Sequence, residues 1–501
     1  MKRILLSVVS IAWCCCLWTA TPSYVNPLLP FDYSDPDVCR VGDTYLMTSS
    51  SFNNVPGLQI LASKDLVHWT IVDAAIRYQL PGYEPGFPLP GHYVWAPAIR
   101  EHDNRIWIYY GDPDRGIYCV RSKPLNAKFS ALNFPLEWES PVLVMPGKGI
   151  IDPCPLWDED GRVWLVHALA GSRARFKSVL MIAELTEDGL SVKTPSRIVF
   201  DGHAEHPTCE GPKLYKRNGY YYIMHPAGGV VQGWQVVQRS KHIYGPYELK
   251  VTLAQGKTAI NGPHQGGWIE TPEGQHFFLH FQDVGAPGRI LHMQPVQWVE
   301  DWPVMGFKGE PVLQYGSPKK EKPSYANFAH RDEFDALELG LDWQWSGGYI
   351  SPKWYFCDVA NSLLRLYSEA RDESGFMPNL LLQKLPAVAF TATARVRFMP
   401  DPNRPMEGAE QAGLIVFGRQ SFTLEAPIQR EWCYLRLVMD AHQRGQFYTS
   451  LDGRKWTKSG EPFQAVEGVW TGAQIGLFCT RDNRIFNDAG WLDVDWFEIK
   501  L

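Results

Sequence analysis

The sequence predicts an all-β protein in two parts, a five-bladed β-propeller over residues 24–320 and a second β domain over residues 328–501. Three observations carry that prediction. A unit of polar or small residue, Pro or Gly, turn and alternating aromatic strand recurs every 55 to 61 residues through the first two thirds of the chain. Hydrophobic residues make up 45% and charged residues 20%, with 43 Gly and 38 Pro, the composition of a turn-rich folded chain and not of a disordered or fibrous one. Long amphipathic helical patterns are missing, and 501 residues exceed what one core usually fills, so length points to two domains.

The first element, residues 1–20, reads as a secretory signal peptide. Lys2 and Arg3 precede an apolar stretch from Ile4 to Leu17, and the small residues Thr19 and Ala20 follow. The stretch is too short to span a bilayer. Cys14, Cys15 and Cys16 raise a lipoprotein anchor as the alternative, but Trp13 and not a small residue precedes them. Cleavage near Ala20 removes two basic residues and takes the formal charge from −6 to −8. The expected protein is exported, periplasmic or extracellular, with no membrane span. Without a Lys/Arg-rich run it has no expected nucleic-acid partner. Seven further cysteines, at 39, 119, 154, 209, 357, 433 and 479, have neither metal-ligand spacing nor the even count of a disulfide framework.

The repeat comes next. Its copies open at Asp35-Pro36, Ala96-Pro97, Asp152-Pro153, Glu210-Gly211 and Gln265-Gly266. Each is followed by a turn, such as Asp160-Gly161 or Asn218-Gly219, and then an aromatic strand such as Tyr220-Tyr221-Tyr222. Asp-Gly and Asn-Gly between alternating runs are hairpin signals. Five units, each long enough for four short strands, fit a propeller better than a sandwich or barrel. Equivalent positions in a propeller fall at equivalent radii, so Asp35, Asp152 and Glu210 converge on one central cavity. Separated carboxyl groups suit glycoside hydrolysis. One deprotonates water and one protonates the leaving oxygen, and a spacing of roughly 6.5–9.5 Å accommodates the water and inverts configuration. A third carboxylate nearby raises the acid's pKa by like-charge repulsion.

These residues resemble a known family. Asn26-Pro27, Asp35-Pro36-Asp37, Trp95-Ala96-Pro97, Ile151-Asp152-Pro153 and Glu210-Gly211-Pro212 are similar to glycoside hydrolase family 43, within it the two-domain β-xylosidase/α-L-arabinofuranosidase-like members. Gly57-Leu58-Gln59-Ile60 leading to His68-Trp69, and Gly288-Arg289 leading to Gln294-Pro295-Val296, extend the likeness over nearly the whole mature chain. The resemblance implies an inverting exo-hydrolase that needs no cofactor for catalysis. It would release terminal β-xylosyl or α-L-arabinofuranosyl residues from plant polysaccharides or oligosaccharides. It makes Asp35 the general base, Glu210 the general acid and Asp152 the residue that tunes and orients the acid. It also implies that Trp95 and Arg289 hold the terminal sugar, that Phe52 walls the pocket, and that His264 is a candidate ion ligand near the axis. Phe31 stands where many members have Gly and is a further candidate lining residue. The competing readings are a non-catalytic carbohydrate-binding propeller, which should lack at least one carboxylate, and a β-fructosidase-like propeller, whose Arg-Asp-Pro motif is missing here.

The last element follows a polar, Pro-containing linker at Gly316–Ser324. Strands at 392–398, 433–438 and 491–497 give a sandwich pattern, and the region resembles the concanavalin-like β-sandwich of the same enzymes. Glu333 near its start and Asp495 near its end are candidate ligands for a structural calcium.

Overall fold

Four of the five recurring units are four-stranded antiparallel sheets, and the fifth a five-stranded one that also takes in Trp302–Met305, in a computed structural model of the chain, which describes residues 22–83, 90–125, 132–316, 325–372, 375–401, 410–428, 431–482 and 488–501. The signal segment and most of the linker lie outside these residues. The first blade runs Asp37–Val41, Thr44–Thr48, Gly57–Ser63, Thr70–Ile76, and the second Trp95–His102, Arg105–Asp112, Gly116–Arg121, Val142–Pro146. The third is Ile150–Trp157, Val163–Leu169, Val179–Leu185, Arg197–Asp201, and the fourth Lys213–Arg217, Tyr220–Ala227, Trp234–Ser240, Glu248–Ala254. The fifth blade takes His264–Glu270, His276–Asp283 and Arg289–Val299 from the end of the propeller and Leu29–Asp32 from its beginning. Leu29 pairs with Leu291 and Asp32 with Ile290, so the two ends of the propeller chain are joined in one sheet.

Local chemistry explains the hairpins. Asn218 and Gly219 have φ of 50° and 73°, the double left-handed turn that a two-residue hairpin requires. The alternating aromatic and β-branched residues of each blade pack against the next blade. Trp164, Val166 and Leu180 of the third blade share a core with Leu214, Ile223 and Val236 of the fourth. Three blades also carry a histidine in the second strand that the sequence reading did not single out. His167, His225 and His280 are buried, and each Nδ1 lies 3.3, 3.0 and 3.0 Å from the carbonyl of the following residue. Their Nε2 atoms meet Ser196 Oγ, Gln238 Nε2 and Gln294 Nε2 at 2.7, 2.8 and 3.1 Å. Burial holds all three at a pKa of about 4, so they are neutral polar struts.

The second domain is two packed sheets. One follows the order Tyr355–Asp358, Leu363–Tyr367, Trp491–Lys500, Phe390–Met399, Cys433–Met439, Arg444–Ser450, Thr457–Gln464. The other runs Gln344–Trp345, Leu381–Lys384, Gln474–Arg481, Glu410–Phe417, Phe422–Glu425. The core between them includes Trp343, Trp345, Leu414, Leu477 and Leu492. The domain docks on the first and fifth blades through backbone groups. Val55 and Trp345 exchange hydrogen bonds of 2.9 and 2.6 Å, and Ala473 N–H donates to Ala286 O at 2.6 Å. Asp32 receives the Gly472 amide on Oδ2 at 2.9 Å and the Lys384 ammonium on its carbonyl at 2.5 Å. Backbone pairing of this kind leaves the two domains little freedom to slide, and it brings the loop around residue 470 over the propeller.

Candidate active site

At the axis, the inner strand of four blades is preceded by, or begins near, a left-handed residue: Asp35 (φ 55°), Ala96 (32°), Asp152 (56°) and Gln265 (34°). For residues other than Gly this conformation costs on the order of 1 kcal/mol, and such strain is kept where the surroundings fix it. In the fourth blade the left-handed residue is Gly211, at φ 53°. Glu210 is therefore not in register with Asp35 and Asp152, as the simple repeat implies, but one residue earlier, level with Ser34, Trp95, Ile151 and His264. The prolines agree, since Pro36, Pro97, Pro153 and Pro212 all follow the left-handed position. A one-residue step re-aims a side chain. Asp35 and Asp152 are buried at 5% and 2% exposure, whereas 26% of the Glu210 side chain remains open to the pocket.

All three acids line one cavity of about 410 Å³, with Trp95, Arg289 and Trp470 among the other walls. Asp35 Oδ2 accepts the Ser50 hydroxyl at 2.5 Å, and Arg289 Nη1 lies 3.5 Å from its Oδ1. Asp152 Oδ2 accepts the Gly211 amide at 2.7 Å, which ties the third blade to the fourth beside Glu210. Burial raises the Asp35 carboxyl, while Arg289, Ser50 and Lys213 pull it back down. Asp152 is pushed up by burial and then by the Asp35 charge. Glu210 is pushed up by burial and by the charges of Asp152 and Asp35. Three acids in one site cannot all ionise together, and Asp35 is the one supplied with a hydroxyl donor and an arginine. The arrangement thus sets Asp35, with a close hydroxyl donor and arginine, against Glu210, which burial and like charge push up more strongly than Arg289 and Lys177 pull it down.

Other predicted residues divide. Trp95 lines the pocket, its Nε1 bonded to Gly91 O at 2.9 Å and its ring met by Phe52 at 6.5 Å and Trp470 at 6.1 Å. Phe52 and Arg289 also line it. His264 is buried with Nε2 3.7 Å from Glu210 Oε1, and both ring nitrogens are without a hydrogen bond among the described residues. Burial depresses it to about 3, so it faces the acid as a neutral ring. Phe31 requires correction. It lies in the propeller core against Phe328 at 5.3 Å, outside the pocket lining, because the chain just beyond the linker folds back onto it. The calcium expectation also finds no fit. Glu333 pairs with Arg331 at 2.6 Å and Asp495 with Arg395 at 2.7 Å, and no group of three acidic, His or Cys ligands forms among the described residues. Cys39, Cys154 and Cys209, beside the acids, are buried free thiols.

Trp470 is the wall that sequence reasoning missed. It comes from the sandwich, has φ 64° and is 46% exposed, held by a turn in which Gly468 N–H donates to Thr471 O at 2.9 Å. Two glycines admit this loop. A Cβ at Gly91 would come within 2.6 Å of Val469, and one at Gly288 within 2.6 Å of the Gly472 nitrogen.

The profile of Glycosyl hydrolases family 43 matches residues 24–303, more than half of the chain and the whole set of carboxylates just described. The chain belongs to glycosyl hydrolase family 43. It is therefore an inverting glycoside hydrolase. The profile of the Beta xylosidase C-terminal Concanavalin A-like domain matches residues 331–431 and 422–500. Among relatives, a putative beta-xylosidase of Xylanibacter ruminicola is 32% identical over 481 residues, covering 91% of this chain and 86% of that protein. A non-reducing end alpha-L-arabinofuranosidase, BoGH43B of Bacteroides ovatus, is 27% identical, covering 83% of this chain and 77% of that one. The crystal structure of a xylan beta-1,4-xylosidase from Bacillus halodurans superposes with a TM-score of 0.79 at 22% identity, covering 95% of this chain and all of that one, and supports the propeller-plus-sandwich fold. Among the described residues of this family 43 hydrolase, no helix is long and apolar enough to cross a membrane.

Proposed function

We propose that this hydrolase removes terminal β-xylosyl or α-L-arabinofuranosyl residues from plant polysaccharides and their oligosaccharides, acting after export to the periplasm or the extracellular space. The observation that carries the reading is the supply of charge within the pocket. Asp35 has Ser50 and Arg289 to support its anion, whereas at Glu210 burial and the charges of Asp152 and Asp35 outweigh the pull of Arg289 and Lys177 and keep its proton on. Asp35 then draws a proton from water as that water attacks the anomeric carbon. Glu210 gives its proton to the departing glycosidic oxygen, and Asp152, fixed by the Gly211 amide, holds Glu210 in the protonated state. Each proton movement is assigned to a carboxyl group, so the reading needs no cofactor. Trp95 and Trp470, with ring centroids 6.1 Å apart, offer two apolar faces at the mouth, which suits one terminal sugar entering at a time. The relatives named for xylosidase and arabinofuranosidase activity support this pair of sugars, and the signal pattern of residues 1–20 supports export.

A panel of aryl glycosides assayed with Asp35→Ala tests the assignment. Turnover on the xyloside or arabinofuranoside should fall at least about 10³-fold in the variant. Near-normal turnover of Asp35→Ala would remove the base, and activity on neither pentoside in the unaltered enzyme would remove the substrate class.

A further inference from the structure

Lys213 opens the inner strand of the fourth blade, two residues beyond Gly211 and three beyond Glu210. Counted from the left-handed residue of each blade, its equivalents are Asp37, Ala98, Cys154 and Gly267. These positions lie one level further along the inner strands than Asp35 and Asp152: Asp152 Oδ2 takes the Gly211 amide of the next blade, whereas Cys154 Sγ takes the Leu214 amide at 3.2 Å. The level is dry and crowded. Asp37, Ala98 and Cys154 are 0% exposed and Lys213 is 1% exposed, and a Cβ on Gly267 would sit 2.4 Å from Asp37 Oδ1.

The charges of this level are unevenly committed. Asp37 Oδ2 accepts Arg100 Nη1 at 2.6 Å and the Ile99 amide at 2.9 Å. Arg100 also reaches Cys154 Sγ at 2.9 Å and lies over the Tyr215 ring at 5.0 Å, while Asp37 Oδ1 has no hydrogen-bond partner among the described residues. Lys213 Nζ donates to Pro97 O at 2.8 Å and forms no ion pair among the described residues. A buried ammonium held by one carbonyl is unstable unless negative charge lies near it. Its side chain reaches from the fourth blade across to the second, between Gly211, whose amide holds Asp152 Oδ2 at 2.7 Å, and Ala96, whose amide donates to the Ser50 hydroxyl that bonds Asp35. Asp35 and Asp152 are accordingly the active-site carboxyl groups that its charge pulls down.

We propose that Lys213 is the internal counterion of Asp35 and Asp152, a single tethered positive charge beneath two carboxylates that keeps the base ionised in a pocket holding three acids. The residue touches neither water nor sugar, so it is a positioning residue acting through Asp35. The groups around it are Asp35 and Asp37 from the first blade, Arg100 from the second, Asp152 and Cys154 from the third, and Arg289 from the fifth. Arg100 is bound to Asp37, and Arg289 lines the pocket with Nη1 3.5 Å from Asp35 Oδ1, so neither takes the place of Lys213 below the acids.

The inference rests on Asp35 being the base, and its test is the pH profile of Lys213→Met, which keeps the chain length and removes the charge. In the folded variant the acid limb of kcat/KM should move up by about one unit or more, a further tenfold loss of rate below that limb for each unit. A purely structural role would lower kcat/KM evenly across pH, and an acid limb that stays in place in a folded variant overturns the proposal. Where Lys213→Met fails to fold, combining it with Asp152→Asn removes one anion along with the cation and should restore folding. A double variant that stays unfolded while Asp152→Asn alone folds also overturns it. Failure of the underlying reading shows separately, as near-normal activity in Asp35→Ala whatever Lys213→Met does.

Discussion

The third and fourth blades open on nearly the same text, Asp152-Pro153 and Glu210-Gly211-Pro212, and put their carboxyl groups to different uses. In the third blade the acid occupies the left-handed position itself and turns into the buried axis. In the fourth a glycine takes that position, and the acid stands one residue ahead with a quarter of its side chain open to the pocket. The longer Glu side chain and the one-residue step together bring a carboxyl group to the open part of the pocket, while the shorter Asp stays behind and bonds the neighbouring amide. A repeat therefore supplies matching sites, and one glycine is enough to give two of them separate roles.

Glu210→Gln tests the division most severely. It should lower kcat/KM on oligosaccharides about 10³-fold, and distinctly less on aryl glycosides whose leaving groups need no proton. Equal losses on both substrates, read from initial rates, would mean that Glu210 is not the acid. Asp152→Asn should cost about 10²-fold and move the alkaline limb of kcat/KM to lower pH. The sign follows from the like charge of Asp152, which raises the Glu210 carboxyl, so removing it lets Glu210 lose its proton sooner. An alkaline limb that stays or rises would put Asp152 outside the acid's surroundings. Trp470→Ala sharpens the comparison from the sandwich side. It should raise KM about two- to tenfold, the worth of one aromatic face, with kcat nearly unchanged. Gly211→Ala is the mildest. A Cβ there meets the Gln265 side chain at 2.5 Å and φ is 53°, so a stability loss of about 1–2 kcal/mol is expected by thermal unfolding. An unchanged melting temperature would show that the glycine is not what sets the step.

Much of this was legible in the chain because propeller blades repeat their text. Asp35 and Asp152 stand out through Asp-Pro pairs at matching spacing, and turns such as Asn218-Gly219 announce their hairpins. Glu210 was readable as an acid but not in its true register, since the left-handed backbone that defines the level carries no letter of its own. Lys213 was invisible for a related reason. A lysine at a strand start reads as a solvated charge until the ring around it is known to be closed. Trp470 lies in a loop without period, and its place at the pocket depends on how two domains dock. Phe31 was misplaced because its true neighbour, Phe328, lies nearly 300 residues away in sequence.

The strand Leu29–Asp32 has one more consequence, in the order of synthesis. It pairs with Arg289–Val299, so the earliest strand of any blade has no partner until almost the last one has been made. A chain produced from its N-terminus cannot finish the ring early, and contacts so far apart in sequence form slowly. The ring therefore stays open while it is being made, and its pocket comes into being only when the final blade closes behind it.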